Sequence, residues 1–127
     1  MDEITAGVNW TAVVAGAVLA YLLGYLWYSP RLFGKKWAEG VDLKSPPENL
    51  PVAAMTAQAI GTFLLSWIVG VTAANNALLT IILVVATIVA LMLAGGLFTL
   101  KSSYAMLTET GFVIAMAAVM IAVQGLL

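Results

Sequence analysis

Long apolar runs broken by a few short polar stretches make up this chain, and the breaks set its elements. From Ile4 to Tyr28 the clearly polar residues are Asn9 and two threonines, which predicts a first helical span over about residues 6–28. A second uncharged run covers residues 51–74 and a third covers 77–100, divided by Asn75-Asn76, a pair that marks a tight turn. The last run, 104–126, carries one charge, Glu109, near its start. A bilayer core about 30 Å thick needs about 20 predominantly apolar residues per helix, and each run meets that length. The pattern therefore predicts an all-α membrane protein. It has four transmembrane helices and a short interfacial amphipathic helix after the first, with residues 1–127 forming one integral membrane domain around a loop at 29–50.

Composition strengthens this reading. Hydrophobic residues make up 63% of the chain and charged residues 9%, with a mean hydropathy of +1.06. Soluble domains carry about 45 to 50% apolar and about 25% charged residues, so this chain has too little charge to cover a water-facing surface. Cys and His are absent, which removes disulfides, thiolate chemistry, the usual zinc sites and imidazole acid-base catalysis. The net charge of −1 provides no basic field for nucleic acid. The N-terminal apolar segment lacks a basic region ahead of it and is longer than the core of a signal peptide, so it is expected to be retained.

The few cations also orient the chain. Arg31, Lys35, Lys36 and Lys44 lie between the first two spans, and Lys101 lies between the third and fourth. By the positive-inside rule both basic loops face the cytoplasm and both termini lie outside it, as expected for a multi-pass membrane protein.

Helix association in lipid depends on small residues that let backbones approach. The first span presents Ala12, Gly16, Ala20 and Gly24 at every fourth position, with Tyr28 next on the same row. The second has Ala53, Ala57 and Gly61, the third Ala86, Ala90 and Ala94, and the fourth Gly111, Ala115, Ala118 and Ala122. These seams are expected to pack the four helices within one chain, and a two-sided seam also allows contact between copies, so homo-oligomers are expected. A faint internal echo links Leu22-Leu23-Gly24-Tyr25-Leu26-Trp27 to Leu93-Ala94-Gly95-Gly96-Leu97-Phe98. In a chain this rich in Leu, Ala and Gly, chance accounts for it.

The first half of the loop is patterned. On a helix from Pro30, Phe33 and Trp37 share a side with Gly34, while Arg31, Lys35 and Lys36 occupy the other. Such a segment is expected to lie in the interface. Its cations would meet anionic lipid and its aromatic side would sit at headgroup depth, reinforcing Trp27 and Tyr28 as an anchoring belt. Ser45-Pro46-Pro47-Glu48 has the spacing of a capping box, and the next membrane helix is expected to begin in earnest near Pro51.

Glu109 is the one charged residue whose depth decides its meaning. An acid at the bilayer centre costs about 2.5 to 3.5 kcal/mol on insertion scales, and the cost falls toward the interface. If Ser102 or Ser103 caps the last helix, Glu109 lies roughly 9 to 10 Å along its axis, at the inner edge of the hydrocarbon. There it is expected to snorkel, to pair with a loop lysine, or to hydrogen-bond Thr108, Thr110, Gln58 or Thr62. The sharper reading makes it a cation or proton-linked site. Thr56, Gln58, Thr62 and Gln124 read as interhelical hydrogen-bonding groups. No catalytic set emerges, since no His acts as base and Glu39, Asp42 and Glu48 are dispersed without a partner motif. No cofactor or metal is expected.

Asn9-Trp10, followed by Gly24-x-x-Trp27-Tyr28-Ser29-Pro30-x-x-Phe33-Gly34-x-x-Trp37, resembles the opening signature of a family of small bacterial membrane proteins catalogued as domain of unknown function 1761. Leu97-Phe98, Lys101-Ser102 and Gly111 resemble its connection between the third and fourth helices, so the resemblance covers nearly the whole chain. It implies four membrane helices and no established activity. Glu109 departs from the family's pattern, which more often has an uncharged polar residue there. The small multidrug-resistance transporters also have four helices, but their essential glutamate is in the first helix, where this chain has no acid between Glu3 and Arg31.

The expectation is a non-enzymatic structural or accessory membrane component that meets lipid, further copies of itself or another membrane subunit. The alternative is a small transporter or channel for an ion or small solute, with a path lined by Thr56, Gln58, Thr62 and Glu109.

Overall fold

The computed structural model of the chain describes residues 2–29, 32–40 and 52–127. Among these residues every regular element is helical. A short 3-10 turn, Asp2–Ile4, precedes α1 (Trp10–Trp27), α2 (Gly34–Gly40), α3 (Val52–Ala74), α4 (Leu78–Phe98) and α5 (Ser103–Leu126). Four of them, α1, α3, α4 and α5, are long and apolar enough to cross a membrane. The 18 residues of α1 extend roughly 27 Å at the helical rise, close to one hydrocarbon thickness.

Local chemistry fixes where the helices start. Asn9 Oδ1 accepts the Ala12 N–H at 3.1 Å and caps α1. Of the two serines at the start of α5, Ser102 makes the cap, accepting the Ala105 N–H at 3.0 Å. These caps satisfy donors that lipid leaves unpaired.

The two turns on either side of α4 are alike. At the end of α3 the Ala77 N–H bonds to the Thr72 carbonyl and the Asn76 N–H to that of Ala73. At the end of α4 the Lys101 N–H bonds to the Gly96 carbonyl and the Leu100 N–H to that of Leu97. Both are Schellman motifs, which need a residue in the left-handed region, here Asn76 at φ 53° and Leu100 at φ 60°. Asparagine tolerates that conformation and leucine does not favour it. The tight turns send α4 back along α3 and α5 back along α4. As a result the end of α1, α2, the start of α3, the end of α4 and the start of α5 gather at one end of the bundle.

The core lies between α1, α3 and α5. Ala12, Val13, Gly16 and Ala20 of α1 are buried, as are Leu65, Ser66, Val69 and Gly70 of α3 and Phe112, Val113, Met116 and Met120 of α5. A Cβ on Gly16 would stand 3.0 Å from Ser66 Oγ and 3.5 Å from the Met120 backbone, so the absent side chain is what allows this three-way approach. Ser66 Oγ donates to the Val13 carbonyl at 2.7 Å and ties α3 to α1.

The small-residue seams divide unequally. The α1 row is buried at Ala12, Gly16 and Ala20, and Gly24 lies against the Phe112 ring. On α3, Ala53, Ala57 and Gly61 are exposed, and a Cβ on Gly61 would meet nothing within 4 Å. Ala86, Ala90 and Ala94 of α4 are exposed as well. On α5, Gly111 and Ala115 are half-buried, Gly111 against Trp27, and Ala118 and Ala122 are exposed. Within one chain, then, the expected packing of helix against helix through their seams is made by α1. The buried row of α5 instead consists of large side chains that fill the room left by α1.

Candidate functional site

Polar and aromatic side chains converge where the five helix ends gather, around Glu109. Lys101 follows the Schellman turn of α4 and Glu109 lies two helical turns further on. Lys101 Nζ donates to Glu109 Oε1 at 2.9 Å and Oε2 at 3.0 Å. From α2, Trp37 Nε1–H donates to Glu109 Oε2 at 3.0 Å. The carboxylate is thus held from two sides by elements 72 residues apart in sequence at the Trp37 contact. The side chains are 32% and 15% exposed for Lys101 and Glu109, so the pair is sheltered yet reachable.

Aromatic rings frame this pair. Tyr28 packs edge-on against Trp37 at 5.0 Å between centroids and against Phe112 at 5.3 Å. Trp27 lies 4.8 Å from the Phe33 ring and donates its Nε1–H to the Thr108 carbonyl at 2.9 Å. Lys36 sits 5.3 Å over the ring of Tyr104. The turn after α1 makes this convergence geometrically possible. The Phe33 N–H bonds to the Trp27 carbonyl and the Gly34 N–H to that of Ser29, so the chain doubles back on the end of α1. A Cβ on Gly34 would overlap the Tyr28 carbonyl, which explains a glycine at this place. The amphipathic pattern of α2 places its aromatic side at headgroup depth, and in the structure Phe33 and Trp37 turn toward the bundle, onto Trp27 and Glu109. The reason is that the Trp37 N–H and Glu109 satisfy each other there. Trp27 and Tyr28, expected in the same belt, are likewise half-buried against α5. Of the expected anchoring cations, Lys36 is exposed and Lys35 falls within α2. Arg31, Lys44 and the Ser45-Pro46-Pro47-Glu48 box lie outside the described residues.

Beside the cluster a cleft of about 840 Å³ opens between the start of α3 and the end of α4. Tyr21, Tyr25 and Tyr28 of α1 line it, with Met55 and Gln58 of α3 and Met92, Gly95 and Thr99 of α4. Phe112, Val113 and Met116 of α5 line it as well, and Lys101 and Glu109 stand at its polar end. Glu109 and Gln58 therefore share one space. Thr62 is buried beneath it, receiving the Gln58 Nε2–H at 3.0 Å, and both side chains approach Met116 Sδ, at 3.8 Å from Thr62 and 3.9 Å from Gln58. Thr56 is on the exposed side of α3 and does not join them. Gln58 thus bonds along its own helix and, with Thr62, donates across to Met116 Sδ of α5, the interhelical hydrogen bonding expected of these two residues. Gln124 Nε2 is buried with no hydrogen-bond partner among the described residues.

Nothing in the pattern of residue types located Trp37 on Glu109 or Trp27 on the Thr108 carbonyl. The available signal was the four-residue spacing of Phe33 and Trp37, which put both rings on one side of α2 without saying what that side meets. Among the described residues no group of three or more His, Cys, Asp or Glu side chains is placed to hold a metal ion.

An opposite aromatic cluster stands at the far end of the bundle. Trp10 and Trp67 lie 5.3 Å apart, Phe63 packs on Trp67 at 6.2 Å, and Trp67 Nε1–H donates to the Ile4 carbonyl at 2.6 Å. Four apolar crossings between two aromatic ends define a multi-pass α-helical membrane protein. The chain belongs to the family described as Protein of unknown function (DUF1761), whose model matches residues 11–125. That match runs from the first turn of α1 to the last turn of α5 and takes in the whole cluster around Glu109. No curated protein and no solved structure matches the chain.

Proposed function

We propose that this protein is a non-enzymatic structural or accessory component of a bacterial inner membrane, with both termini outside the cytoplasm, and that it associates into homo-oligomers. The observation that carries this reading is the internally satisfied carboxylate. Glu109 is paired with Lys101 and Trp37, so its charge braces α2 and the α4–α5 turn against one another. The absence of His from the sequence supports a role outside catalysis. Lys36 and Lys101 lie at the same end of the bundle, which supports a cytoplasmic placement of that end. The outward rows Ala53, Ala57, Gly61 and Ala86, Ala90, Ala94 support self-association, because a second copy can bring its backbone close there. Another membrane subunit is the alternative occupant, and membrane lipid covers the rest.

The chain contains no cysteine, so single introduced thiols report without background. Gly125→Cys should react with a membrane-impermeant maleimide in intact cells, and Glu39→Cys only after permeabilisation. The reverse pattern overturns the orientation. A second reading, a small carrier of an ion or solute, is favoured by the cleft that Gln58 and Glu109 share. Flux of an ion or solute into liposomes holding the purified protein, lost in Glu109→Gln, would replace the accessory role with transport.

A further inference from the structure

The cleft has a body that is apolar apart from Gln58, Thr99 and the tyrosine hydroxyls, and one charged end, and its two parts differ in a way that specifies a ligand. The body is walled by Met55, Met92, Phe112 and tyrosine rings. Methionine and aromatic side chains adapt to an irregular apolar guest. Its volume of about 840 Å³ falls within the range of about 300 to 1,000 Å³ typical of ligand sites. Gly95 on its α4 side would carry a Cβ into open space, and Ala54 on its α3 side is exposed, so the cleft is open laterally between two membrane-crossing helices. What stands outside such an opening is acyl chain. The polar end is the Lys101–Glu109 pair, at the level of the Trp27, Tyr28 and Trp37 rings, where headgroups lie.

The geometry points to a binding site for one zwitterionic phospholipid with a primary ammonium, its tail in the cleft and its headgroup exchanging with the Lys101–Glu109 pair. Charge decides the headgroup. An anionic head that took Lys101 would strand Glu109 at the edge of the hydrocarbon, and a purely cationic head would strand Lys101. A head carrying both charges leaves neither unpaired, since its phosphate takes Lys101 Nζ and its ammonium takes Glu109. Hydrogen bonding narrows the choice further. The two donors that Lys101 gives to Glu109, at 2.9 and 3.0 Å, must be replaced by N–H groups, which an ethanolamine head has and a choline head lacks. Trp37 keeps its own hydrogen bond throughout and holds the carboxylate in place.

The inference rests on the membrane placement but on neither the proposed orientation nor the accessory role, so the labelling and flux results leave it untouched. It is tested by native mass spectrometry of the purified full chain. The chain is offered dioleoyl phosphatidylethanolamine, phosphatidylcholine and phosphatidylglycerol in equal amounts, so that only the head varies. The unaltered chain should retain the ethanolamine lipid about tenfold over the other two, a difference of about 1.4 kcal/mol. Gly95→Leu fills the cleft from a position where nothing stands in the way, and should abolish retention of all three. Glu109→Gln leaves Lys101 without a counter-charge and should turn the preference to the anionic glycerol head. Equal retention of the three lipids by the unaltered chain overturns the proposal, and that comparison needs no variant to fold. Undiminished binding in a folded Gly95→Leu overturns it too, as does a dimer carrying no lipid, in which a second copy closes the cleft.

Discussion

α4 and α5 are consecutive, similar in length and joined by a four-residue turn, yet they occupy opposite environments. α4 is the most apolar of the four long helices, and only Ile81 and Gly96 of it are buried. α5 carries Glu109, two threonines and three methionines, and ten of its residues are buried. In a soluble protein the more apolar helix goes inside. Here the bundle interior holds threonine, serine and methionine beside Val13, Leu65, Val69 and Val113, while most leucines of α4 face outward. Lipid is as apolar as leucine, so burying leucine gains nothing, and what association rewards is close fit and polar pairing. Leu79 and Leu83 of α4 are 81% and 69% exposed, and acyl chains satisfy them.

The sharpest way to break this contrast is to add bulk at the interior. A Cβ at Gly70 would stand 2.7 Å from Val13 Cγ2 and 3.2 Å from Gln124 Nε2, so Gly70→Leu should cost about 3 kcal/mol or more and abolish cooperative thermal unfolding in detergent. Gly61→Leu, on the same helix but facing outward, is the control and should unfold like the unaltered monomer; an equal loss would show that the two faces are not distinct. Next comes removal of packing. Met120 is 1% exposed against Gly16, and Met120→Ala should lower stability by about 2 kcal/mol, read from denaturant titration in mixed micelles. Glu109→Gln loses the ion pair and leaves Trp37 a neutral, weaker acceptor, so about 1 to 2 kcal/mol should disappear, with a change in tryptophan emission as that bond weakens.

Smaller effects lie at the turn and on the outer face. Leu100 holds φ 60° while 88% exposed, so Leu100→Gly relieves the backbone without losing a contact. It should raise stability by about 1 kcal/mol, and a lower unfolding temperature would count against the Schellman geometry. Smallest of all, Leu83→Ala on α4 should change monomer stability by less than about 0.5 kcal/mol. A large loss there, seen only in the oligomer, would place Leu83 under a second copy.

Much of the architecture was legible from the letters because its causes are local. Long uncharged runs need lipid, Asn76 accepts a left-handed turn, and Ser102 stands where α5 needs a cap. The partner of Glu109 was legible in part, as a loop lysine is among the few cations within reach. Other features have no local cause. Leu100 takes the conformation that asparagine takes at the other turn, because the Schellman bonds that end α4 need a left-handed residue there. The seams of α3 and α4 looked the same as that of α1, and only the assembled bundle turns one inward and leaves the others outside.

The sequence by itself determined the number of crossings, their approximate ends and the membrane as solvent, since apolar length and charge placement are properties of the chain alone. The tertiary structure alone decided that α5 goes to the centre, that Trp37 closes over Glu109, and that a cleft opens between α3 and α4. Those outcomes depend on which surfaces fit across tens of residues, and in a medium that rewards every apolar face equally, fit is set by the shapes of all the helices together.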